Sequence, residues 1–171
     1  MAPRVNYATA APGASRAMMN LQQYVSGAGL EPSLLELVKV RASQMNGCAF
    51  CLDMHTKEAR AAGETEQRLY GLSAWREAPY YSERERAALA WTEAVTQLGP
   101  HGVPDDVYDT IEKLFTEPEL VNLTMAVIAI NGWNRLAIAF RSPEPGSYVV
   151  RTKSVAATHA AHAELDHRGS P

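Results

Sequence analysis

Glu36-Leu-Val-Lys-Val-Arg41-Ala-Ser43-Gln-Met-Asn46-Gly47-Cys48-Ala-Phe50-Cys51-Leu-Asp-Met-His55 is the stretch on which the fold turns. Pro32, just upstream, suits the first turn of a helix, because proline lacks only an N–H that has no partner there. Leu34, Leu35, Val38 and Ala42 give this helix an apolar face, and Asn46-Gly47 ends it. A second helix starts at about Cys48 and stops at Gly63. A break this short lets the two helices pack antiparallel, so that Glu36 can come back towards the second one. If Cys48 opens that helix, Cys51 stands at i+3 and His55 at i+7, and the three side chains share one stripe.

The rest of the chain keeps the same helical period, and no series of strands is visible. Residues 15–26 form a helix with Met18, Met19 and Leu21 at apolar positions, ended by Gly27 and Gly29. A short helix is expected near 65–72. Ser82 with Glu85 makes a capping box that opens a helix to about Leu98. Pro104 opens another to about Phe115. The most apolar segment, 117–140, is read as the central helix, interrupted by Gly132, which would also allow close packing. Ser142, Pro143, Pro145 and Gly146 make a turn. The reading is an all-α fold: an extended arm over residues 1–14, one helical domain over 15–150, and a tail over 151–171 with one short helix near 154–165.

At 171 residues the chain suits one domain with a proper core. A net charge of −3 argues against a nucleic-acid partner, which usually calls for a basic face. No apolar run nears the roughly 18 residues of a membrane span, and MAPRVNYATA does not read as a secretory signal. A cytoplasmic location follows as the expectation. The two cysteines, three apart, are too few and too close for a secreted disulfide scaffold, and in a reducing compartment such a pair points to catalysis or metal.

Peroxide oxygen is attacked by a thiolate, and a thiolate is favoured at a helix start and beside an imidazole. Cys51, the closer to His55, is therefore expected to attack and become a sulfenic acid. Cys48 would condense with it to a disulfide, which an external dithiol or protein reductant reopens. His55 can hold the proton, and Glu36 can orient it and complete a relay.

The spacing of Glu36, Arg41, Ser43, Asn46, Cys48, Cys51 and His55 resembles the pattern E-x-x-x-x-R-x-S-x-x-N-x-C-x-x-C-x-x-x-H of the AhpD-like alkylhydroperoxidases, within the carboxymuconolactone decarboxylase superfamily. The run from Asn134-Arg135 to Arg141, followed by Pro145-Gly146, is similar to that family's C-terminal signature. The resemblance implies an all-helical fold with the CxxC at a helix start, and assembly as trimers or hexamers. It implies reduction of organic hydroperoxides, with Cys51 as the sulfenic-acid residue, Cys48 as its partner, Glu36 and His55 as proton relay, and Arg41, Ser43 and Asn46 in support. No cofactor is expected. Phe50 departs from the pattern, since well-known members carry a second His between the cysteines.

Other readings stand beside this one. Cys48, Cys51, His55 and Glu36 could ligate zinc in an interaction protein without turnover, and a lactone decarboxylase would need acid–base groups but no thiols. The cysteines could be buried small hydrophobes. Arg41 could be a surface or an ion-pairing residue, Ser43 an interior hydroxyl, and Asn46 a turn residue or a cap for the Cys48 helix. His101 is expected in solvent, and His159 and His162 to be incidental. Trp75, Trp91 and Trp133 read as core or interface, and Glu83-Arg84-Glu85-Arg86 as an exposed helix start.

Overall fold

The computed structural model describes residues 2–150, so the helix expected near 154–165, and His159 and His162 with it, lie outside the described residues. Among those residues every regular element is helical. In chain order they are α1 (Tyr7–Ala10), α2 (Pro12–Ser26), α3 (Pro32–Asn46), α4 (Ala49–Ala61), α5 (Glu66–Gly71) running into a 3₁₀ turn (Leu72–Ala74), α6 (Glu83–Thr96), α7 (Asp105–Ile111) and α8 (Glu117–Phe140). His101 is exposed in the loop between α6 and α7.

α8 begins at a capping box in which Thr116 Oγ1 accepts the Glu119 N–H and the Glu119 carboxylate accepts the Thr116 N–H. By length and composition alone it could cross a membrane, contrary to the expectation that no apolar run is long enough. Here its inner face is the core: Leu123, Ala126 and Val127 pack with Leu34 and Val38 of α3 and with Ala88 of α6. Its outer face leaves Val121, Ile128 and Ile138 exposed. Gly132 does not interrupt the helix, but it does allow close packing: a Cβ there would come within 2.7 Å of the Met18 methyl on α2.

α3 shares the centre with α8. Leu34, Leu35 and Val38 face one cluster, while Leu37 and Val40 face a second with Ala59, Leu72, Trp75 and Leu89. Both sides of α3 are therefore apolar, which explains why its polar residues Lys39 and Ser43 are buried and must find partners inside.

Two expectations are corrected. The start of the chain is not an extended arm. Asn6 caps α1 by accepting the Ala8 and Thr9 N–H groups, and Pro12 opens α2. The 83–86 cluster is not a solvated helix start. The Arg84 guanidinium lies 3.7 Å from the Phe115 ring centroid and bonds Glu31 and Glu119, Arg86 donates to the Trp75 and Ala78 carbonyls, and Glu85 pairs with Arg68. Their apolar stems cover the ends of neighbouring helices, which periodicity in one helix does not reveal.

Candidate active site

The site is built at the turn from α3 to α4. Gly47 sits at φ +69°, in the left-handed region open to glycine. Its N–H donates to the Gln44 carbonyl, and the N–H of Cys48 to that of Ser43. This reversal lays α4 back along α3. Cys48 is the N-cap of α4 rather than its first helical residue, and its Sγ accepts the Cys51 N–H at 3.3 Å. The pair is joined as a disulfide, and both residues are buried.

The antiparallel packing brings Glu36 and His55 together, as expected. Glu36 Oε2 lies 2.9 Å from His55 Nδ1, and Glu36 Oε1 accepts from Lys39 Nζ at 2.7 Å. A carboxylate only accepts, so Nδ1–H is the donor and the other ring nitrogen is left for the site. Burial pushes the Glu36 carboxyl up. The hydrogen bond and charge of His55, then Lys39, outweigh this and hold it below its ordinary value. Lys39 was not singled out from the sequence. Its only signal is its i,i+3 spacing from Glu36 in an otherwise apolar turn.

The supporting residues fall into two groups. Asn46 is not a cap for α4: its Nδ2 donates to Asn131 Oδ1 at 2.8 Å and Asn134 Oδ1 at 2.9 Å on α8. Asn134 in turn donates to Ser43 Oγ, and Asn131 to Thr96 Oγ1. Two residues from the motif thus clamp the turn before Cys48 to α8. Arg41 points elsewhere, pairing with Glu93 Oε1 at 2.8 Å. Glu93 also accepts from Trp75 Nε1 at 2.7 Å and pairs with Arg76. Burial raises its carboxyl, and the Trp75, Arg76 and Arg41 partners bring it below its ordinary value.

Glu93 is thus a structural hub that braces α3 from behind. Glu93→Ala is expected to cost about 2 kcal/mol, the scale of leaving half-buried donors without an acceptor. A chemical denaturation curve reads this directly. The rate of Cys48–Cys51 oxidation in the folded protein should not change.

Two spaces open on the pair. A cavity of about 270 Å³ meets Cys51 and His55 and is walled mainly by Tyr7, Met19, Phe50, Met54 and Trp133. Tyr7 packs against Trp133, and burial pushes its phenol up from the ordinary value. Trp75 and Trp91 are core as expected, whereas Trp133 is a wall of this cavity. A larger cleft of about 680 Å³ meets Cys48. Phe50, Ala137 and Pro143 line both and stand between them. Among the described residues no three His, Cys, Asp or Glu side chains gather in a way that could hold a metal ion.

The carboxymuconolactone decarboxylase family model matches residues 12–94, which contain the whole motif. The uncharacterized protein YdfG of Bacillus subtilis is 44% identical over 139 residues, 81% of this chain and 95% of that one. The Agrobacterium tumefaciens protein ATU0492, of unknown function and suggested to be an antioxidant defence protein AhpD, is 47% identical with a TM-score of 0.80, covering 88% of this chain and all of that one. The debrominase Bmp8, solved with 2,3,4-tribromopyrrole, shares the fold at 17% identity and a TM-score of 0.70, over 78% of this chain and 71% of its own. Fold and site together define an all-helical protein with a cysteine pair at a helix start. The chain belongs to the carboxymuconolactone decarboxylase family, among its AhpD-like members.

Proposed function

We propose that this chain is a thiol-dependent peroxidase that reduces organic hydroperoxides through Cys48 and Cys51. The observation that carries the reading is that Cys51 and His55 face one apolar cavity while Glu36 holds the far side of the imidazole. The Cys51 thiolate attacks the terminal peroxide oxygen, the O–O bond breaks, and the leaving alkoxide takes a proton from His55. Cys51 is then a sulfenic acid. Cys48 attacks that sulfur, water leaves, and the disulfide forms. A dithiol returns both thiols by exchange and leaves as its own disulfide.

Tyr7, Phe50 and Trp133 in the wall suit an aryl or alkyl hydroperoxide better than hydrogen peroxide, which has no apolar surface to bury. The antioxidant role suggested for the Agrobacterium protein supports the same reading. A lactone decarboxylase would have no use for the cysteine pair. Consumption of cumene hydroperoxide with dithiothreitol as reductant separates the two. Turnover should require both cysteines, and a rate unchanged in the Cys48→Ser/Cys51→Ser double variant would overturn the proposal.

A further inference from the structure

Tyrosines and tryptophans taken out of water ordinarily give their polar ends a partner, because an O–H or N–H left without one is costly. Elsewhere this chain follows the rule. Trp75 Nε1 donates to Glu93 Oε1 at 2.7 Å, and Trp91 Nε1 to Thr124 Oγ1 at 3.0 Å. The Tyr81 hydroxyl donates to the Arg68 carbonyl, and the Tyr148 hydroxyl to Glu58. Tyr7 and Trp133 depart from it. Both are only partly exposed, their ring centroids are 6.5 Å apart, and both wall the Cys51 cavity. Among the described residues neither the Tyr7 hydroxyl nor the Trp133 Nε1–H has a hydrogen-bond partner. No fully buried side-chain nitrogen or oxygen there lacks one, so both groups remain accessible. Gln22, on the same cavity, gives one amide N–H to Ser26 Oγ at 3.2 Å and keeps the other.

α1, α2 and α8 thus each bring an uncommitted donor to one space. The indole only donates, and the phenol, pushed up by burial, stays protonated and donates. Such a set calls for an oxygen acceptor. No Lys or Arg lines the cavity, so a carboxylate would enter without a cation to offset its lost hydration. In the reduced protein it would also share the space with the Cys51 thiolate. A neutral carbonyl oxygen accepts two hydrogen bonds and carries neither penalty. The volume of about 270 Å³ lies just below the roughly 300 Å³ at which sites for drug-sized ligands begin, which suits a single substituted ring.

We infer that Tyr7 and Trp133, with Gln22, determine the specificity of this cavity, and that they select an aryl hydroperoxide carrying a neutral carbonyl oxygen. The inference rests on the peroxidase reading above and adds which hydroperoxides the site prefers and by what it recognises them. The hydroperoxide group lies at Cys51 and His55. The ring lies against Phe50 and Met54. The carbonyl oxygen accepts from the Tyr7 O–H and the Trp133 N–H, which fixes the orientation in which the peroxide meets the sulfur.

The test uses alcohols that undergo no redox chemistry, so that it reads recognition without turnover. They are the alcohols that three para-substituted cumene hydroperoxides would yield, bearing an acetyl group, an isopropyl group of similar size, or a carboxylate. Calorimetric titration into protein with its disulfide intact gives a Kd for each. The acetyl compound should bind about tenfold tighter than the isopropyl one, the scale of two net hydrogen bonds. The carboxylate should bind weakest. Tyr7→Phe keeps the ring packed on Trp133 and removes only the hydroxyl. In that variant, and in Trp133→Phe, the acetyl preference should fall to about threefold, and in the double variant to about one. The preference is a ratio of two ligands on one protein, so the wild type alone reads it should a variant fail to fold. Equal Kd values for the acetyl and isopropyl compounds, or no saturable binding of either up to about 1 mM, would overturn the inference. So would a carboxylate that binds as tightly as the acetyl compound, or a preference that survives in the folded double variant. Failure of the peroxidase reading would show instead as absent turnover in the cumene hydroperoxide assay, and would leave these binding ratios readable.

Discussion

Cys51→Ser is expected to lower cumene hydroperoxide turnover by on the order of 10³-fold or more, the scale of losing an activated nucleophile. A serine hydroxyl is not ionised beside His55, and the one cysteine left, Cys48, opens on the other cleft and does not share the His55 cavity. Cys48→Ser should behave differently. Cys51 keeps its cavity and its His55–Glu36 support, so one equivalent of peroxide is still consumed. The sulfenic acid then has no neighbouring thiol to condense with. Peroxide in excess should drive it to the sulfinic acid, and multiple turnover should stop. The contrast between the two variants, one dead in the first turnover and the other after it, assigns the roles. Rapid-quench measurement of peroxide loss over the first turnover reads it.

Glu36→Gln is expected to slow Cys51 oxidation by about 100-fold, at the low end of what general acid–base groups supply. The amide can still accept from His55 but carries no charge to stabilise the imidazolium. The loss should fall on the rate constant for oxidation, with little effect on the peroxide concentration needed for half-saturation, because Glu36 is not among the residues lining the cavity. The pH dependence carries the same signature. Glu36 is held below its ordinary value in the fold, so its contribution to stability is complete above the ordinary carboxylate range and is lost as pH falls through the lowered value. Wild-type stability should therefore fall on acidification through that region, and the Gln variant should lack this component. Denaturation midpoints measured across an acid pH series test it.

The helices and their turns were legible because each rests on local chemistry. Pro32, Gly47, the Ser82–Glu85 capping box and the apolar period of 117–140 all state their structure within a few residues. The Glu36–His55 contact was legible for the same reason, since one tight turn fixes how α4 returns along α3. What the sequence hid is long-range. Arg41 reads as part of the motif, yet its partner Glu93 is 52 residues away and has no pattern of its own. Asn46 reads as a cap because it precedes a helix, while Asn131 and Asn134 draw it to α8. Tyr7 and Trp133 wall the cavity from opposite ends of the chain, and nothing in either neighbourhood announces this. Lys39 is the intermediate case: its spacing from Glu36 was visible, but its burial depends on α3 being packed on both sides.

The central claim is that Cys51 meets the peroxide and Cys48 resolves it. It is tested most directly by adding about one equivalent of cumene hydroperoxide to reduced protein, alkylating the remaining thiols, and reading intact mass. The wild type should lose both alkylation sites together. Cys48→Ser should carry one added oxygen on Cys51, trapped by a sulfenic-acid reagent. Free thiols in the wild type after prolonged exposure would contradict the peroxidase account, and a sulfenic acid on Cys48 in the Cys51→Ser variant at wild-type rate would reverse the roles assigned to the two cysteines.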